Sequence, residues 1–115
     1  MSFRFRRAER LKGRDQIGQV FSRGRSVSCS GAKLFILKND LPVNRIVFTF
    51  ARKYGNAVQR NRSRRLSREV YRLIKEQLRS GYDFVLLVYP GKDSFEARQE
   101  QLSTLFSRAG LFLET

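Results

Sequence analysis

The spacing of apolar and polar positions changes several times along the chain, and each change marks an element. Between Asp15 and Arg23, Ile17, Val20 and Phe21 recur at i, i+3 and i+4, which predicts a short helix, and Gly24 stands where it would stop. Ser26 to Lys38 reads as extended, with a kink near Gly31 that would split it in two. Its LFIL stretch, Leu34 to Leu37, is apolar on both faces. Asn39-Asp40-Leu41-Pro42 is a turn, and Ile46 to Ala51 is a second strand rich in β-branched and aromatic residues. Asn56, with Gln59 three positions on, predicts a capped helix running to about Leu78. Tyr82 to Tyr89 reads as a buried strand. A last helix is expected from about Asp93, with Glu96 and Asp93 in capping roles, stopping at Gly110.

The order is α-β-β-α-β-α, which predicts an α+β fold: one small sheet covered by helices, an α/β sandwich. The length of 115 residues suits a single domain spanning 1–115, with residues 1–14 as a basic N-terminal arm. Strand pairing order is not legible at this level. Phe35, Phe48 and Phe50 read as core by strand alternation, and Phe21 as either core or ligand contact. Cys29 reads as a small buried apolar residue.

Charge changes the picture most. The chain carries a net +14, and all of it lies in residues 1–65, where 17 Lys/Arg face 3 Asp/Glu; residues 66–115 hold seven of each. Solubility alone is served by mixed signs, so the asymmetry points to a polyanionic partner. On a helix from residue 56 to 78, Arg60, Arg64, Arg68, Arg72, Arg65 and Asn61 fall on one side. Leu66, Val70, Leu73 and Ile74 fall on the other, facing the sheet, with Arg62 flanking. Like charges four apart cost a helix a few tenths of a kcal/mol per pair. Glu69 can offset Arg65 or Arg72, but the face as a whole stays uncompensated. Guanidinium groups hold phosphate oxygens bidentately and stack on bases, and the helix N-terminus beside Arg52 and Lys53 adds free N–H donors. Because the apolar stripe is needed for the sheet, a membrane-surface role is the weaker reading.

Other chemistries find little support. With no histidine and one cysteine, a Cys/His metal cage and an intramolecular disulfide are excluded. The ten carboxylates are scattered, with no pair suited to two-metal hydrolysis, and no histidine offers general acid–base catalysis. The longest apolar run, Phe84 to Tyr89, is too short to span a bilayer, and the basic start lacks a signal-peptide core. A cytoplasmic protein is expected.

The string from Arg52 to Glu69, with its core GNAVxRNRxxRxxRE, closely resembles the signature of the bacterial ribonuclease P protein subunit. Arg10-Leu11, Val20-Phe21 with Gly24, and Phe35 fit the same outline. The resemblance implies an RNA-binding subunit that works with a catalytic RNA and contacts the 5′ leader of precursor tRNA, while the RNA carries the catalysis and most of the bound Mg2+. It also implies a left-handed βαβ crossover around the arginine helix, against the usual right-handed preference. Carried over position by position, Arg60, Asn61, Arg62, Arg64, Arg65 and Arg68 would contact the catalytic RNA, with Arg52 and Lys53 beside them. A cleft on the other side of the sheet would hold the leader, lined by Ile17, Phe21, Ile36, Lys38 and Thr49. No membrane and no obligate protein partner is implied. A ribosomal-type RNA-binding module is the alternative that charge and fold class allow, and a standalone nuclease is disfavoured by the missing histidine.

Overall fold

A computed structural model describes residues 5–113. Three helices and four strands follow one another as α1 (Arg14–Arg23), β1 (Arg25–Cys29), β2 (Ala32–Lys38), β3 (Arg45–Phe50), α2 (Ala57–Ile74), β4 (Tyr82–Val88) and α3 (Phe95–Arg108), with short 3-10 turns at Arg7–Glu9 and Lys75–Gln77. The extended stretch is therefore split, as the glycine suggested: Gly31 turns the chain at φ 88° and β1 pairs antiparallel with β2. The sheet order is β1-β2-β4-β3. β4 pairs antiparallel with β2 and parallel with β3, so α2 is the connection between two parallel neighbours.

The apolar run of β4 has a direct structural cause. As an inner strand with helices on both sides, it buries Phe84 and Leu86 toward α2 and α3 and Val85 toward α1. The main core lies under α2 and α3, where Leu34, Ile36, Ile46, Phe48, Val70, Tyr71, Leu102, Leu105 and Phe106 meet. A smaller core of Leu11, Val20 and Val85 lies under α1. α1 stops where predicted because of space rather than handedness: a Cβ on Gly24 would stand 2.5 Å from the Val20 carbonyl oxygen and 2.6 Å from that of Ile36. Glycine lets the helix end press onto β2.

One expectation is corrected. α3 is capped by Ser94, whose Oγ accepts from the Ala97 amide at 3.1 Å; Asp93 lies outside the helix and Glu96 in its first turn. The described part of the basic arm, residues 5–14, packs against the rest of the fold. Phe5 lies against Phe48 and Tyr71, Leu11 is buried, and the Leu11 amide donates to Ile46 at 3.0 Å. Glu9 pairs with Lys75 at 2.9 Å, tying the arm to the end of α2. Residues 1–4 of the predicted arm lie outside the described residues.

Candidate nucleic-acid interface

α2 begins with the reciprocal cap its sequence encodes. Asn56 Oδ1 accepts from the Gln59 amide and Gln59 Oε1 from the Asn56 amide, both at 2.9 Å. Gly55 makes room for it: its φ is 149°, and a Cβ there would lie 2.1 Å from Gln59 Oε1. Just upstream, Lys53 takes φ 68°, a left-handed conformation that costs a non-glycine residue about 1 kcal/mol or more. That turn presents Arg52 and Lys53, both exposed, next to the helix start.

Arg60, Asn61, Arg62 and Arg65 are exposed along α2, while Arg64 and Arg68 are half-buried. The half-buried pair are pinned by aromatic rings. The Arg64 guanidinium lies 5.2 Å from the Phe50 ring centroid, and its Nη1 donates to Asn61 Oδ1 at 2.8 Å. The Arg68 guanidinium lies 5.9 Å from the Phe5 centroid, with Arg10 at 5.4 Å from the same ring, and Arg68 Nε is buried with no hydrogen-bond partner. Arg60 folds back to donate to the Gly55 carbonyl at 2.6 Å. The carboxylates that form ion pairs are engaged elsewhere: Glu69 takes Arg72, Glu9 takes Lys75, Asp83 takes Arg45 and Asp93 takes Arg98. Among the described residues, no salt bridge engages Arg52, Lys53, Arg60, Arg62, Arg64, Arg65 or Arg68.

The buried side of α2 departs from the predicted stripe. Val70 and Ile74 are buried as expected, but Leu73 is 40% exposed and Leu66 only half-buried. Their place is taken by Ser63, Ser67 and Tyr71, all within 1% of full burial. The helix is thus rotated toward its serines, and the cause is Arg98 of α3, which enters beneath them and is 1% exposed. Its Nη1 donates to Ser63 Oγ at 3.2 Å and to Ser67 Oγ, its Nη2 to Asp93, and its Nε to Gln101 Oε1 at 2.9 Å. Asp93 also accepts from the Tyr54 hydroxyl. Burial, with the bond to Asp93, raises the Tyr54 pKa above its ordinary value and keeps the phenol a donor.

The other face of the sheet is only partly covered. α1 packs across β2 and β4, bringing Ile17 against the small core and Phe21 over Phe35 at 4.8 Å between ring centroids. Phe21 is 41% exposed. Thr49 shares this face with Val47, and its Oγ1 donates to the Leu86 carbonyl at 2.9 Å. Ile17, Phe21 and Thr49 therefore lie on the same side of the sheet. Ile36 and Lys38 do not. Ile36 is 2% exposed in the main core, and Lys38, aligned with Tyr82, shares its side of the sheet. The β2 residues that do line the open face are Lys33, Phe35 and Leu37, with Lys33 Nζ at 5.2 Å from the Phe35 ring centroid. Phe35 is thus a half-buried surface aromatic rather than a main-core residue, whereas Phe48 is buried and Phe50 packs half-buried on Tyr54.

Residues 5–110 match the family model for Ribonuclease P. The chain belongs to that family. Relatives called ribonuclease P protein component include one from Symbiobacterium thermophilum, 36% identical over 109 residues, covering 92% of this chain and 95% of the relative. Another, from Dictyoglomus thermophilum, is 31% identical with 97% of each chain covered. Among solved structures, the RNase P protein from Thermotoga maritima superimposes with a TM-score of 0.76 at 28% identity, over 93% of this chain and 99% of that one. The Staphylococcus aureus RNase P protein gives 0.80 at 21% identity, over 93% and 100%, a likeness of fold.

A ribonuclease P protein component is a subunit of an endoribonuclease, and an RNA-binding role fits the unpaired arginines of α2. Among the described residues there is no group of three or more His, Cys, Asp or Glu that could hold a metal ion. Nor, among them, is any helix long and apolar enough to cross a membrane. Sequence reasoning missed Arg98, Asp93 and Tyr54 as supports of the site. The available signal was the pair of serines at 63 and 67, one turn apart on the side that should have been aliphatic.

Proposed function

We propose that this chain is the non-catalytic protein subunit of ribonuclease P, acting in the cytoplasm on the 5′ maturation of tRNA. Arg52, Lys53, Arg60, Asn61, Arg62, Arg64, Arg65 and Arg68 grip the catalytic RNA. The open sheet face beside α1, with Ile17, Phe21, Lys33, Phe35 and Thr49, takes the single-stranded leader of precursor tRNA. The Mg2+ ions that cleavage requires stay with the RNA in this reading, and no step is assigned to protein-held metal.

The carrying observation is the row of α2 guanidinium groups without carboxylate partners. Arg64 and Arg68 are held against aromatic rings and Arg60 against the Gly55 carbonyl, and no salt bridge takes their charge, which leaves it for phosphates. Each phosphate neutralised releases condensed counterions, so affinity gains come mostly from the basic face and fall with salt. The open face supplies contacts that only a leader-bearing precursor can use. Exposed Phe21 over Phe35 offers a stacking platform that tolerates any base, and Lys33 adds a charge beside it. Precursor then binds better than mature product, and turnover benefits.

Reconstitution tests this. The purified chain is added to a bacterial ribonuclease P RNA and a precursor tRNA at low magnesium. Binding of the RNA together with faster leader removal is expected. Failure of both would sink the proposal.

A further inference from the structure

Under α2 lies a charge that the RNA cannot reach. Arg98 is 1% exposed, and its guanidinium is spent on Ser63, Ser67, Asp93 and Gln101. Asp93 passes the connection on to Tyr54, in the turn between Lys53 and Gly55. Gln101 passes it to the β1–β2 turn, donating to the Ser30 carbonyl at 3.1 Å. One buried group thus touches the arginine helix and, through one intermediary, the turn that carries Arg52 and Lys53.

We propose that Arg98 is a positioning residue for the RNA-binding face: with Asp93, Tyr54, Ser63 and Ser67 it locks the Arg52–Gly55 turn and the first half of α2 into one rigid cationic surface. Aliphatic side chains at 63 and 67 would hold the helix by contacts that have no preferred direction. A planar fork bonded to two serines one turn apart fixes both rotation and height. The arginines above repel one another, so a directional hold from beneath opposes the distortion they favour. The positions of the links fit this role: Ser63 lies between Arg62 and Arg64, Ser67 precedes Arg68, and Tyr54 follows Lys53.

A plain stabilising role makes a different prediction. Buried ion pairs add little net stability, and Asp93, the carboxylate left behind when Arg98 is replaced, is exposed to solvent. Stability and positioning can therefore be separated. This inference rests on the proposed RNA-binding function, and the experiment distinguishes the two. Binding to a bacterial ribonuclease P RNA is measured against salt for the wild type, for Tyr54→Phe, and for the combined Ser63→Ala, Ser67→Ala and Arg98→Met variant. Folding is checked by circular dichroism and thermal melting.

Positioning predicts that both folded variants lose affinity, roughly tenfold for the combined one, equivalent to one charge-assisted contact. It also predicts that the slope of log affinity against log salt shrinks by about one for the combined variant and by a smaller amount for Tyr54→Phe. None of the altered side chains is a member of the basic face, and Arg98 is buried, so the missing contact must come from misplaced arginines. Unchanged slopes in folded variants would overturn the inference and leave the RNA-binding function standing. If the combined variant fails to fold, the slope of Tyr54→Phe decides alone. A wild type that does not bind the RNA overturns both.

Discussion

The two faces of the sheet are built to opposite ends. Toward α2 and α3 the sheet is sealed: Leu34, Leu86, Phe84 and Phe106 are fully buried, and the aromatic rings of Phe84 and Phe106 meet at 5.0 Å. Toward α1 the cover is narrow, and Phe21, Phe35 and Thr49 retain contact with solvent. The closed face buys stability and spends it on holding a self-repelling helix. The open face gives up burial to keep apolar surface available. In so small a chain, separating the two tasks lets each surface change without dismantling the other.

The contrast can be broken most forcefully from the closed side. Phe106→Ala should cost about 3–5 kcal/mol in urea unfolding, a large share of the stability of a domain this size. Phe35→Ala on the open face should cost much less, and equal losses would mean that the open face is core after all. Next in size, Arg64→Ala with Arg68→Ala should lower the salt dependence of RNA binding by about two units while the fold persists. An unchanged slope would remove α2 as the interface.

The open face is sharpened by a difference in substrates. Phe35→Ala should weaken binding of a leader-bearing precursor by about 1–3 kcal/mol, as for loss of one stacked base, and leave mature tRNA unaffected. Lys38→Tyr, on the opposite side, should change neither; a selective effect of Lys38 would reverse the assignment of faces. The smallest effect concerns Tyr71, whose phenol is pushed well above its ordinary value of 10.0 chiefly by burial. The folded chain then holds that proton more tightly than the unfolded chain. Stability is flat below the ordinary phenol range and declines as pH climbs through and above it. In Tyr71→Phe this alkaline decline should be shallower in pH-dependent melting.

Much of this architecture was legible because local chemistry dictated it. Asn56 and Gln59 announced their reciprocal cap, Gly31 its turn, and the Ile46 run its strand. The cleft was half legible. The cleft residues came from the family resemblance, and a one-residue slip in that carry-over put Ile36 and Lys38 on the wrong face; Leu34 to Leu37, apolar on both sides, offered no alternation to expose it. The rotation of α2 was hidden for a different reason. Serines at 63 and 67 fall on the sheet-facing side, but nothing local shows what would satisfy their hydroxyls, because the arginine that does so lies more than thirty positions away. Pairing order was similarly hidden, because β2 and β3 are sequence neighbours yet both pair with the later β4.

The ring of Phe5, 5.4 Å from the Arg10 guanidinium and 5.9 Å from that of Arg68, has a practical corollary for anyone handling the protein. A fusion placed ahead of that ring starts out beside the arginine stripe, at high effective concentration. An acidic epitope tag attached there would compete with any phosphate ligand for those arginines. A tag following Leu113, whose amide is bonded to Gln77 near the far end of the arginine helix, would start at a greater remove from its GNAV end.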